Sequence, residues 1–162
     1  YTNPISAKHG FIPFKINEID VMVTKIAINE ENDGNVVPFK PLKIDIELDA
    51  EHDIDTIGFE IMISHDDTNG VVFRSNTKAT KNLDIKIMRG KNKISCLIDS
   101  FNLCSGKYWL GFGVSLLMIK HYYYETALLT FNVTEVMVEH SSLSTLPVYS
   151  HVYLDHNWVG RN

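Results

Sequence analysis

The sequence predicts an all-β protein, an antiparallel β-sandwich, and three observations predict it. Short runs alternate apolar and polar residues with a period of two; Gly, Asn, Asp and Pro separate them at roughly even spacing; and helical periodicity is scarce. Some eight or nine such runs fit an immunoglobulin-like or jelly-roll-like topology. With 162 residues, 44% apolar and 22% charged, the chain is long enough for one domain with a real core. We divide it into an irregular lead-in over 1–18, the sandwich over 19–134, and an extension over 135–162 that ends in one more strand.

The elements follow in order. Pro4, Gly10 and Pro13 punctuate the lead-in. Residues 19–29 alternate, with Val21 and Val23 on one face and Ile26 and Ile28 rejoining it after a one-residue slip. Asn32, Asp33 and Gly34 are turn chemistry. Residues 42–49 give the cleanest alternation: Leu42, Ile44, Ile46 and Leu48 inward, Lys43, Asp45, Glu47 and Asp49 outward. In 57–65, Ile57, Phe59, Ile61 and Ile63 face in, while Gly58, Glu60, Met62 and Ser64 face out. A turn over 66–70 then leads into a hairpin partner over 71–76, with Phe73 inward and Val72, Arg74 and Asn76 outward. Two more strands are expected over 83–89 and 93–99, the second with Ile94, Cys96 and Ile98 inward.

The stretch GKYWLGFGVS, 106–115, carries two unlike rows. Tyr108, Leu110, Phe112 and Val114 are wholly apolar; Trp109, Gly111, Gly113 and Ser115 are one large aromatic beside two positions with no side chain. Glycine inside a strand often marks close approach of a ligand or another backbone. The second row therefore reads either as a bare strip on which a sugar ring could lie, or as a bulge or sheet crossing with Trp109 covering a neighbouring loop. MIKHYYYE, 118–125, reads as a connection in which at least one of the three tyrosines is exposed. Residues 127–133 return as a strand with Leu129, Phe131 and Val133 inward, and 148–154 form the final one.

Several function classes are excluded. A net charge of −5 with no basic stripe argues against a nucleic-acid or anionic-membrane binder. No apolar run approaches a membrane span, no signal peptide is evident, and the chain begins on Tyr1, the mark of a fragment or processed chain. There is no phosphate-binding GxxxxGK[ST] motif. The acidic clusters at 49–55 and 66–67 miss the EF-hand spacing, and His140, His151 and His156 lack the ligands that would complete a zinc site. No metal or cofactor is expected, and Cys96 and Cys104 read as two free thiols.

Binding chemistry fits better. If the strands at 71–76, 57–65, 106–115 and 127–133 are neighbours, their outward rows form one surface. It carries Trp109 as a stacking platform, Arg74 as a cation for an acidic terminal group, and Glu60, Asn76, Thr130 and Asn132 as hydroxyl partners, with Ser64 and Ser115 beside them. Lys120, His121 and Tyr122 are second-tier candidates, on a connection that folds over one end. Sugars present CH faces to aromatics and hydroxyls to paired donors and acceptors, so this composition suits a carbohydrate groove. Two alternatives stand beside it. One is a structural domain whose outer face pairs with a protein. The other is a glycosidase, which would need a second carboxylate within about 5–10 Å of Glu60.

The ordered segments DGNVVPFKPLKIDIEL, FEIMI, NGVVFRSNT, GKYWLGFGV and TFNV, closed by HVYLDHNW, resemble the C-terminal carbohydrate-binding domain of Wzt-type ATPases. These are the nucleotide-binding subunits of bacterial polysaccharide ABC exporters. The resemblance runs over nearly the whole chain and departs at Lys40–Pro41, where that family often has Gly before its second strand. It implies a non-catalytic immunoglobulin-like sandwich, dimeric, with the last strand exchanged between protomers. It also implies binding to the modified non-reducing end of an O-antigen glycan in the cytoplasm, at the inner face of the inner membrane. That binding would license export by an attached ATPase domain and a membrane transporter subunit.

Overall fold

The computed structural model describes residues 11–66, 70–116 and 119–134, and the backbone of 5–6. Ten strands and one short helix follow in the order β1 (Ile5–Ser6), β2 (Phe14–Ile16), β3 (Val21–Ile28), β4 (Leu42–Ala50), β5 (Ile54–His65), β6 (Val71–Asn76), α1 (Thr77–Lys81), β7 (Ile85–Ile87), β8 (Gly90–Ile98), β9 (Gly106–Leu116) and β10 (Lys120–Val133). They form two sheets. One has the order β1-β10-β9-β5-β6, with β7 also on β5; the other has the order β2-β3-β4-β8. Pairing is antiparallel except for β1, which runs parallel to β10.

The alternation read from the sequence is the packing of the sandwich. Leu42, Ile44, Ile46 and Leu48 from one sheet meet Ile57, Phe59, Ile61, Ile63, Tyr108, Leu110, Phe112 and Val114 from the other, all buried. Each such side chain contributes roughly 1.5–3 kcal/mol relative to exposure, which holds the two layers face to face. Leu129, Phe131 and Val133 of β10 close the same core. The slip expected in β3 is a register shift between Val23 and Lys25.

Three expectations change. The lead-in is not irregular throughout, because Phe14–Ile16 pairs with Val21–Val23 and Ile5–Ser6 pairs with Leu129–Thr130. Strands this short carry too few residues for alternation to show. The strand expected at 83–89 shrinks to Ile85–Ile87 and belongs to the sheet opposite its sequence neighbour β8, with Gly90 at positive φ where the chain crosses. The supposed connection at 118–125 is mostly strand, since the chain turns at Ile119 and enters β10 at Lys120. The extension over 135–162, with its expected strand and its histidines, lies outside the described residues. Among the described residues, Cys96 and Cys104 are free thiols, no cluster could hold a metal ion, and no helix is long and apolar enough to cross a membrane.

The outer face of the four-stranded sheet is a network of ion pairs. Asp45 is buried at its centre, accepting from Ser95 Oγ at 2.5 Å and lying 3.4 Å from Lys43 Nζ and 3.2 Å from Lys93 Nζ. Lys25 and Lys43 pair onward to Glu30, Glu47 and Glu31. Burial pushes the Asp45 carboxyl up, but the hydrogen bonds from Ser95 and Lys93 and the charges of Lys43 and Lys93 outweigh it and hold the group below its ordinary value. A carboxyl depressed in the folded state contributes stability that is present above the ordinary carboxylate range and lost as pH falls through the folded value. Unfolding free energy should therefore drop on acidification below that range, and Asp45→Asn should flatten the acid limb in denaturant titrations at a series of pH values.

Candidate functional site

The four strands whose outward rows were expected to share a face are neighbours, in the order β10-β9-β5-β6. Register places the rows. Asn76, Glu60, Gly113 and Tyr124 run across the sheet as one row; Arg74, Met62 and Gly111 as the next; Ser64, Trp109 and Thr130 as a third; and Gly58, Ser115 and His121 as a fourth. Asn132 lies opposite Lys107 and is exposed.

The rows do not make one open groove. Between Glu125 and Leu129 the register of β10 shifts, setting residues 126–128 against Gly111 alone. The backbone of that bulge sits on Gly111: a Cβ there would come within 2.8 Å of the carbonyl oxygens of both Glu125 and Thr126. The strip expected to be bare is filled at this point by the protein's own chain. Gly111 is what lets that chain approach, the use of strand glycine that needs no ligand.

The bulge divides the face into two ends. At one, Trp109 Nε1 donates to Asp66 Oδ1 at 2.6 Å. Lys107 Nζ stands 5.4 Å from the centroid of the indole ring and 3.6 Å from Asp66 Oδ2. Trp109 thus secures the turn that leaves β5, with Ser64 and Thr130 buried at its sides. At the other end, Glu60 and Ser115 are each only 2% exposed. Arg74 Nη2 lies 2.7 Å from Glu60 Oε1, and Asn76 Nδ2 donates to Glu60 Oε2 at 3.2 Å. Asn76 is already committed elsewhere, because its Oδ1 caps α1 by accepting from the N–H groups of Lys78 and Ala79.

Ser115 Oγ is buried without a hydrogen bond, and Glu60 Oε1 is met by the Arg74 guanidinium as an ion pair. The rim of this corner is aromatic. The Tyr124 ring lies against Gly113, 43% exposed, with the His121 ring edge-on at 5.1 Å. The side chains shown facing Glu60 are a cation and an amide. Lys120 pairs with Glu18 and stands over the half-buried Tyr122 ring at 5.7 Å. Those two side chains are engaged away from the corner, whereas His121 reaches it.

No family model matches the sequence, and no curated protein matches it. Among solved structures the chain is similar to "Crystal structure of the C-terminal domain of wzt", at TM-score 0.66 and 16% identity over 88% of this chain and 84% of that one. The fold is that of the wzt C-terminal domain. An alkylpurine DNA glycosylase from Pseudomonas fluorescens bound to abasic-site DNA (TM-score 0.45, 9% identity, 72% of this chain and 31% of that one) shares less of the architecture. So does a β-glucuronidase of glycoside hydrolase family 2 (0.38, 16%, 70% and 11%).

On this wzt-like sandwich the residue that sequence reasoning missed is Tyr124. Its signal was present, since one of three consecutive tyrosines had to be exposed, and Tyr124 is that one while Tyr123 stacks inward on Phe14. What hid its position is an extra residue in β10 between His121 and Tyr123, which resets the alternation. The two glycines should separate in mutagenesis. Gly111→Ala drives a methyl into backbone and should cost about 1–3 kcal/mol in denaturant unfolding. Gly113→Ala meets side-chain atoms of Glu60 and Tyr124 at 3.3 Å and backbone only at ordinary contact distance, the Tyr123 carbonyl oxygen at 3.7 Å, and should cost clearly less.

Proposed function

We propose that the chain is a non-catalytic carbohydrate-binding module that recognises the modified non-reducing terminus of a bacterial O-antigen polysaccharide and so licenses its export by an ABC transporter. Its setting would be cytoplasmic, at the inner face of the inner membrane, attached to an ATPase domain and working with a membrane transporter subunit. The observation that carries this reading is the corner of the six-stranded sheet, where a buried serine hydroxyl without a hydrogen bond and a buried glutamate ion-paired to a half-exposed arginine lie beside an exposed tyrosine. Buried polar groups are seldom left unpaired without a reason, and acceptors beside an aromatic plane are what a sugar's hydroxyls and CH face require. The contrast with the other sheet supports it, since the polar groups there are spent on one another. The wzt-like fold and the resemblance of the ordered segments agree with it.

We place the contact set at Tyr124, Arg74, Glu60, Asn76, Ser115 and His121. The stacking role moves from Trp109 to Tyr124, because the indole is held by Asp66 and Lys107. Ser64, Thr130 and Asn132 then support the Trp109 end, and Lys120 and Tyr122 brace the start of β10. Calorimetric titration with O-antigen polysaccharide should give saturable binding that is lost when the terminal residue is removed. Tyr124→Ala should weaken it at least tenfold, and Trp109→Ala much less. Absence of saturable binding by the folded chain would overturn the reading.

The proposal extends to a homodimer joined by exchange of the C-terminal strand. β8 ends its sheet, so among the described residues one of its edges has no strand beside it. Its inward Ile94, Cys96 and Ile98 are only half-buried, lining a cavity of about 470 Å³ with Phe59, Ile61 and Phe73. An added strand would cover that mouth. Truncation after Ser144 should convert the dimer to monomer in sedimentation velocity; a dimer of unchanged stability would rule the exchange out.

A further inference from the structure

β8 gives one edge to β4 along its whole length, and among the described residues its other edge has no strand beside it. The two rows of side chains along that edge differ. Ile94, Cys96 and Ile98 are half-buried and line the cavity of about 470 Å³ between the sheets, whereas Lys91, Lys93, Ser95 and Leu97 are exposed on the outer face. The two cations are not equivalent either, because Lys93 already pairs with Asp45 while Lys91 has no ion pair among the described residues. An edge with charges guarding one end and an apolar mouth at the other accepts a strand in few registers.

Resting on the strand-exchange reading, we infer that the partner's segment 148–154 runs antiparallel to β8 in one register, with the partner's Ser150 directly opposite Cys96. Its row of Val148, Ser150, Val152 and Leu154 is the one suited to the cavity, since a shift of one residue would turn Tyr149, His151 and Tyr153 inward instead. In this register the partner's Val148 and Val152 lie opposite Ile98 and Ile94, and the partner's Tyr149 opposite Leu97. The partner's Asp155 meets Lys91, the cation left without a counter-charge. Sliding the strand two residues one way sets the partner's Pro147 opposite Leu97, inside the ladder, where it has no N–H to donate. In the inferred register Pro147 falls opposite Asp99, past the end of β8 at Ile98. Sliding two residues the other way takes Asp155 to Lys93, which Asp45 already holds. A parallel strand with the same row inward brings Asp155 to no cation: it falls opposite Phe101 or Leu103, beyond β8, or opposite Asp99, like charge against like. Residues 135–147 span up to about 45 Å when extended, which allows the strand to leave Thr134 and reach a second copy.

The test is disulfide capture in the full chain, oxidised with copper phenanthroline in air and read on non-reducing gels, beside sedimentation velocity of the reduced protein. Ser150→Cys should give a dimer-sized product at least tenfold more completely than Val148→Cys or Val152→Cys, and adding Cys96→Ser should abolish it. Lys91→Glu and Asp155→Lys should each weaken the dimer severalfold, and the two together should restore it. Equal or greater capture at Val148→Cys or Val152→Cys, or a double reversal no tighter than either single one, overturns the register while leaving the exchange intact. A Cys96-dependent product of monomer size overturns the exchange and the partner as the source of the strand. A reduced chain that sediments as monomer and is captured at none of the three positions overturns both.

Discussion

The register between β5 and β9 is the constraint on which the rest depends. Residues pair from Gly58 with Ser115 to His65 with Tyr108 without a slip, and the inner rows of the two strands hold that pairing in place. Moving one strand by a single residue would turn Tyr108, Leu110, Phe112 and Val114 outward together. At roughly 1.5–3 kcal/mol for each buried side chain, that loss is comparable to the whole net stability of a domain. The outer face inherits its geometry from this inner requirement. Glu60 meets Gly113, and Ser115 meets Gly58, because the apolar side chains behind them admit no other alignment.

How far the fold could be read in advance follows from the same physics. Where both rows of a strand obey a period of two, as in β4, β5 and β9, side-chain direction was legible residue by residue. It failed where the chain adds residues. The insertions in β10 at Tyr122 and at 126–128 break the period, so a strand of fourteen residues looked like a connection followed by a short strand. The outer-face residues of β5 and β9 were placed on the correct side of the sheet and beside the correct neighbours, whereas Val72 and Tyr122, at the irregular ends of β6 and β10, pack against the core instead. That the backbone of Glu125 and Thr126 would lie on Gly111 was not legible, because a glycine records that something comes close without recording what. Asp66 as the partner of Trp109 Nε1 was hidden for a similar reason, being a contact across forty-three positions.

The two outer faces treat polar groups in opposite ways. On the four-stranded sheet each buried or half-buried charge finds a partner on the same surface, as Asp45 does with Ser95, Lys43 and Lys93. That arrangement is self-contained. On the six-stranded sheet, a buried serine hydroxyl and one oxygen of a buried glutamate lack hydrogen bonds, while the half-exposed side chains around them are an arginine, a tyrosine and a histidine. Leaving the buried serine hydroxyl unmatched costs on the order of 1–3 kcal/mol, a cost the well-filled core behind it can carry.

Asn76 joins two jobs that are usually separate: its oxygen ends the backbone of α1, and its nitrogen donates to Glu60. Few residue types could replace it in a descendant sequence. Aspartate would cap the helix equally well but set a second negative charge against Glu60. Serine and threonine would cap it too, though with a single short hydroxyl that cannot serve both neighbours. Glutamine offers the same amide on a longer stem and is a poor cap. Drift at this position is therefore closed off in almost every direction, and a change at Glu60 would be the event that opens it.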